Sequence, residues 1–177
     1  MEFKDSKTRE NLMTAFLRES GAYNEYTFYA QQATKDGFES IYNLFNQFAT
    51  NEQAHAKIWF KLWHGISCTQ DNLIDSADLE KYEHSVLYKE FSKVANDEGF
   101  EDIALLFEQV GKIESRHEKE YKELFEKVKK ETIFVEKEEV AWKCLNCGHM
   151  HKGKQPPEIC PVCSHPKAYF EVACEEK

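Results

Sequence analysis

Proline is absent from the first 155 residues; all four prolines (Pro156, Pro157, Pro161, Pro166) fall in the last 22. A stretch that long without the residue that removes a backbone donor and breaks helices suits long uninterrupted helices. Long apolar runs are absent too. The longest, Ile103 to Phe107, is far too short to cross a bilayer. Basic charge is in short supply, with 23 Lys and Arg against 32 Asp and Glu and a net charge of -9. Duplex nucleic acid and anionic membranes are therefore poor default partners. The start, Met1-Glu2-Phe3-Lys4-Asp5, carries no hydrophobic signal segment, so a cytoplasmic location is the expectation. No glycine-rich phosphate loop occurs, which argues against a tightly held nucleotide.

What is present is unevenly spread. The chain has 177 residues, 41% hydrophobic and 31% charged, enough for one ordinary globular domain plus a small appendage. Five of its six cysteines lie at or after position 144. The composition shift near Phe134 to Glu139 places a boundary there: residues 1–137 as a helical domain, residues 138–177 as a tail too small to bury a core unaided.

The first part has the 3.6-residue period of helices. Four apolar stripes run Leu12, Phe16, Tyr23, Tyr26, Ala30, Ala33; then Ile41, Phe45, Phe48, Trp59, Leu62; then Leu73, Ala77, Leu87, Phe91, Val94; then Ile103, Phe107, Val110, Tyr121, Leu124, Val128. Gly37, Gly65 and Gly99 mark the breaks between them. Thr8 and Asp71 are plausible N-caps of the first and third helices.

Each stripe is interrupted near its middle by carboxylate or imidazole: Glu19; Glu52 and His55; Glu80 and Glu83; Glu114 and His117. One such residue on an apolar stripe is ordinarily a boundary residue. Seven at matched depth on four stripes are not, because five carboxylates buried together without counter-charge would cost several kcal/mol each. A pair of metal ions removes that cost. Glu-x-x-His from two helices and Glu from the other two is the ligand set of ferritin-like dinuclear bundles, and the i,i+3 spacing puts both side chains on one face. Iron or manganese suits such oxygen-rich ligation. His64 reads as a helix-end residue, and His84 as a neighbour of the ligands off their phase. Cys68 and Cys174 read as free thiols.

In the tail, Cys144-Leu-Asn-Cys147 and Cys160-Pro-Val-Cys163 are separated by 12 residues. Two such pairs form a tetrahedral four-thiolate metal site, and a reducing compartment argues against disulfides. Zinc would make the tail structural; iron would make it a one-electron carrier. The spacing leaves both open, and a redox-capable dimetal site nearby favours iron. Trp142, Tyr169 and Phe170 are the expected small core.

With these segments in hand, the sequence resembles the rubrerythrin family along essentially its whole length. The resemblance rests on Glu19-Ser-Gly-Ala-Tyr-Asn-Glu-Tyr26, Ala33-Thr-Lys-Asp-Gly37-Phe38, Glu52-Gln-Ala-His55-Ala56-Lys57 and Glu80-Lys-Tyr-Glu83. It continues through Tyr88, Phe91, Asp97-Glu98-Gly99-Phe100 and Glu114-Ser-Arg-His117-Glu118-Lys119. The tail adds Trp142-Lys-Cys144, Cys147-Gly148, Cys160-Pro-Val-Cys163 and His165-Pro166-Lys167-Ala168-Tyr169-Phe170.

The resemblance implies a mainly α fold: a ferritin-like four-helix bundle with a small C-terminal rubredoxin-like metal-binding β domain. It implies a peroxidase that reduces hydrogen peroxide to water at two iron ions, oxo- and carboxylate-bridged when oxidised. Glu19, Glu52, His55, Glu80, Glu83, Glu114 and His117 would be the ligands. A third iron on Cys144, Cys147, Cys160 and Cys163 would relay electrons, ultimately from a reduced nicotinamide through a separate reductase or rubredoxin. Glu83 would ligate in the oxidised state and His55 replace it on reduction, with Tyr26 nearby as a hydrogen-bond donor. The rivals are an oxygen-using oxidase or ferroxidase on the same bundle, and a non-enzymatic iron-binding protein with a structural zinc ribbon.

The connection between the second and third helices is short. With helix ends near His64 and Asn72, a ferritin-like crossover must travel back about 30 Å, whereas residues 65–71 span about 27 Å when extended. Exchange of helices between two chains is the easier solution, though a residue or two at each helix end would rescue the unswapped form. A homodimer or higher even oligomer is expected. A head-to-tail dimer would also bring one chain's four-cysteine iron towards the other's bundle site.

Overall fold

The computed structural model of the chain describes residues 2–173, and Cys174 lies outside them. It is mainly α, and it comprises two compact units that part between Ser67 and Cys68.

The first unit is a hairpin of α1 (Lys7–Lys35) and α2 (Glu39–Trp63). Ser6, rather than Thr8, caps α1. Its extended backbone turns its hydroxyl back to accept from the Arg9 N–H at 3.2 Å, which leaves Thr8 inside the first turn. Gly37 closes the turn with φ +82°, a conformation that disfavours side chains. The Phe38 N–H then donates to Ala33 O at 2.8 Å, satisfying a carbonyl the helix leaves free.

The second unit begins with α3 (Thr69–Tyr82), a π turn (Glu83–Leu87) and α4 (Tyr88–Asp97), which together replace one expected continuous helix. Helix α5 (Glu101–Lys129) returns along them. Because α3 starts at Thr69, Asp71 sits in its first turn instead of capping it. There the carboxylate still opposes the positive end of the helix dipole.

The two hairpins are near-copies, a repeat the stripes alone did not reveal. Adding 62 to a residue number carries Gly37-Phe38-Glu39 onto Gly99-Phe100-Glu101, and Glu52 and His55 onto Glu114 and His117. The Phe100 N–H donates to Ala95 O at 2.8 Å, as Phe38 does to Ala33. Tyr26 packs on Phe45 with centroids 6.2 Å apart, and Tyr88 on Phe107 at 6.1 Å.

Small residues line the seams: Ala30, Ala33, Ala49 and Ala56 in the first hairpin; Ala77, Ser92, Ala95 and Ala104 in the second. Much of the expected core is instead exposed. Ile41, Phe48 and Leu62 are 42, 43 and 56% exposed, and Phe91, Val94, Ile103 and Leu124 are 41, 47, 47 and 41% exposed. A helix pair buries only the line along which its two members touch. A wider stripe needs a further layer of helices to cover it.

After α5 the chain forms β1 (Val140–Cys144), β2 (Met150–Gly153) and β3 (Phe170–Val172). They make an antiparallel sheet ordered β2-β1-β3, with Trp142 opposite His151 and Cys144 opposite Phe170. Trp142, Cys144, Cys160 and Phe170 form the small core, with Phe134 packed against it. Tyr169, expected inside, is 42% exposed and packs edge-on against His165 at 4.4 Å. The Trp142 indole N–H donates to Gly153 O at 3.0 Å, so its one polar group is satisfied on burial.

Candidate metal centres

The structure gathers three groups of metal-competent side chains, each with ligand atoms within 4.8 Å of one another: Glu19, Glu52 and His55; Glu80, Glu114 and His117; and the four tail cysteines.

In the first hairpin, α1 supplies Glu19 and α2 supplies Glu52 and His55 one turn apart. His55 Nδ1 is 3.1 Å from Glu52 Oε2. A side-chain hydrogen bond with Glu19, and then one with His55, hold Glu52 below the usual carboxylate range. In the second hairpin, His117 Nδ1 stands 2.7 Å from Glu114 Oε2 and 3.6 Å from Glu80 Oε1. Burial first, then the Glu114 charge, push Glu80 up. Glu80 Oε2 is buried and has no hydrogen-bond partner. A buried carboxylate oxygen without a donor is costly unless a cation meets it. The donor set therefore fits metal ions: two carboxylates and one imidazole from each hairpin, all on one helix face of each arm.

Glu83 lies beside the second group rather than in it, at the first position of the π turn. Burial and the Glu114 charge push its carboxyl up as well. The repeat explains its place. Glu19 precedes Tyr26 by seven residues, while Glu80 precedes Tyr88 by eight. The π turn absorbs the one extra residue, as i→i+5 turns do. His84, in the same turn, bonds through Nε2 to Glu118 Oε2 at 2.7 Å, and Lys122 donates to the other Glu118 oxygen at 2.6 Å. His84 thus ties the π turn to α5 next to both Glu83 and His117. Tyr26 packs on Phe45, seven residues along α1 from Glu19, or about 10 Å. His64 caps the end of α2.

Both cysteine pairs sit on tight knuckles. The Gly148 N–H donates to Cys144 O at 2.8 Å and the Ser164 N–H to Cys160 O at 3.0 Å. Gly148 and Ser164 have φ of +76° and +60°, the left-handed position that lets each loop fold under its sulfurs. Cys144 Sγ is 3.7 Å from Cys163 Sγ, and Cys147 Sγ is 3.7 Å from Cys160 Sγ. Those separations suit four thiolates around one ion. Crowding moves Cys163 and Cys147 in opposite directions. The His165 backbone N–H, assisted by the neighbouring thiols, lowers Cys163 to about 5. The His149 backbone N–H favours the Cys147 thiolate, but burial and the other three sulfurs outweigh it and push Cys147 up to about 12. A bound cation would relieve that repulsion.

Among the described residues, no helix is long and apolar enough to cross a membrane. The rubrerythrin family model matches residues 10–125 and, in a second alignment, 71–147; the model described as rubrerythrin, rubredoxin-like domain, matches residues 142–171. Rubrerythrin-1 of Clostridium acetobutylicum is 41% identical, covering 97% of each chain. The rubrerythrin of Nitratidesulfovibrio vulgaris is 38% identical over 96% of this chain and 95% of its own. That of Porphyromonas gingivalis is 40% identical over 95% and 90%.

Proposed function

The chain belongs to the rubrerythrin family, and on that premise we propose that it is a non-haem di-iron peroxidase, reducing hydrogen peroxide to water with electrons relayed through the four-cysteine site. The observation that carries this reading is the pairing, in one chain, of two carboxylate–histidine groups with a four-cysteine knot. A dinuclear centre needs repeated external reduction to turn over, and a tetrathiolate iron is a one-electron carrier.

Two ferrous ions would supply two electrons to the O–O bond, so that peroxide, two electrons and two protons give two waters. Glu19, Glu52, His55, Glu80, Glu114 and His117 would hold the ions. Glu83 would serve the oxidised pair and His55 the reduced pair, with a neutral Glu83 carboxyl able to carry a proton while unligated. Its upward shift by burial and Glu114 favours that form. Tyr26 would hold a hydrogen bond near the ligands. Residues 138–177 would form the electron-carrying domain beside a helical part of residues 1–137. The donor would be an external reductase or rubredoxin.

A steady-state assay tests this reading. Peroxide loss should match reductant oxidised at one to one for a two-electron donor. Cys144→Ser should abolish it while the bundle keeps its iron. Turnover undiminished in Cys144→Ser, or a colourless tail that holds only zinc after native expression, would favour the oxidase or zinc-ribbon readings.

A further inference from the structure

Resting on the reading of Glu83 as a ligand of the oxidised pair, we infer that His84 is the residue that positions it, by tying the π turn through Glu118 and Lys122 to α5. The repeat isolates this network. Counted from the shared ligands Glu19 and Glu80, the third and fourth residues are Ala22 and Tyr23 in the first hairpin, but Glu83 and His84 in the second. Adding 62 carries Ala49, Ala56 and Phe60 of α2 onto Gly111, Glu118 and Lys122 of α5. The half that holds the extra carboxylate thus departs from its copy at each position of the network.

In the first hairpin these positions are apolar and packed. Ala49 and Ala56 are buried in the seam, and Phe60 packs on Phe16 and Trp63 with centroids 5.0 and 6.1 Å apart. In the second they carry hydrogen bonds. Lys122 Nζ donates to Glu118 Oε1 at 2.6 Å, and His84 Nε2 lies 2.7 Å from Glu118 Oε2. An ionised Glu118 can only accept, which assigns the hydrogen to His84 Nε2. The His84 and Glu118 side chains are only 21 and 13% exposed, so water competes little for the bond. Gly111 brings the backbones together. A Cβ built there would stand 3.4 Å from Tyr88 Cβ and 4.0 Å from His84 Cα. The π turn therefore rests on α5 at a residue without a side chain, and His84 fastens it there.

That fastening acts on Glu83. A π turn is an uncommon departure from the α ladder, and its extra residue can slip along the helix unless contacts hold it. A slip of one residue turns a side chain by about 100° around the axis. It would carry Glu83 away from Glu114, whose charge it now feels. His84, anchored one residue on, blocks the slip. It touches no reacting atom and acts only through Glu83.

The test is the bundle iron retained against a competing chelator, by protein held oxidised and by protein held reduced. His84→Phe keeps a ring and removes the donor. It should weaken iron retention about 10-fold in the oxidised protein, as disturbed ligand-orienting bonds do, and leave the reduced protein unchanged. Combined with Glu83→Ala, it should cost nothing beyond Glu83→Ala alone, because the group it positions is gone. Glu118→Ala installs the first hairpin's residue and should give the same three results, which covers a His84→Phe that fails to fold. Equal losses in both redox states, or losses that add to those of Glu83→Ala, would overturn the inference and leave His84 a stabilising contact only. Undiminished retention in the folded variants, while Glu83→Ala alone weakens the oxidised site, would overturn it too. If Glu83→Ala itself changes nothing, the ligand role of Glu83 fails and this inference falls with it. The readout is metal content, so it stands whatever the substrate proves to be.

Discussion

Tyr26 and Tyr88 occupy equivalent places in the two hairpins, packed on Phe45 and Phe107 at centroid distances of 6.2 and 6.1 Å, yet they stand at different spacings from their ligands. Glu19 lies seven residues before Tyr26; Glu80 lies eight before Tyr88. The residue that makes the difference is taken up by the π turn at Glu83–Leu87, where the extra carboxylate sits.

Deleting Ser85 should turn the π segment into ordinary α-helix and restore the seven-residue spacing. Helix content by circular dichroism should hold. Affinity for bundle iron should fall by about 10–100-fold, as it does when groups that orient ligands are disturbed. Unchanged iron binding would mean that the π turn has no part in placing Glu83.

Opposite effects are expected from the two exchanging positions. Glu83→Ala should weaken iron binding mainly in the oxidised protein, and His55→Ala mainly in the reduced protein. Anaerobic iron titrations of each redox state check this. Equal losses in both states for both variants would remove the exchange role.

The repulsion within the second hairpin predicts a pH dependence of the metal-free protein. Burial and Glu114 raise Glu80 and Glu83 above 4.5 in the folded state. The folded chain then binds protons more tightly there than the unfolded chain does. This contribution costs stability as pH rises from about 4.5 through the raised values. Metal-free Glu80→Gln/Glu83→Gln should melt a few degrees above its parent at about pH 7, and the gap should close towards about pH 4. A gap independent of pH would rule out the charge mechanism.

Much of the candidate site was legible because carboxylates and imidazoles are residue types that an apolar helix face otherwise avoids. Glu19, Glu52, His55, Glu80, Glu114 and His117 stand out against their stripes, and the structure gathers all six into two groups. The cysteine pairs were legible from spacing alone. The π turn was not, because periodicity read along the third stripe fits a continuous helix, and only the 62-residue repeat displays the inserted residue. Tyr169 was misplaced because its aromatic character says nothing about which side of the knuckle it faces. Phe91 and Val94 were read as core but are 41 and 47% exposed, because one hairpin alone does not cover them.

In the tail, Phe134 packs from the segment after α5 against the Trp142 and Phe170 core. Phe134→Ala should lower the tail's melting temperature by several degrees, consistent with about 3 kcal/mol for a truncated core aromatic. The visible spectrum of the iron site should be unchanged below that transition. A shifted spectrum at low temperature would instead give Phe134 a part in setting the sulfur geometry.

The most direct test of the peroxidase reading is a stopped-flow comparison. Fully reduced, iron-loaded protein is mixed in parallel with equimolar peroxide and with air-saturated buffer, and reoxidation is followed at the visible absorption of the four-cysteine iron. Faster recovery of that band with peroxide than with air, with one peroxide consumed per two electrons, is the expected result. Recovery in air as fast as in equimolar peroxide would contradict it.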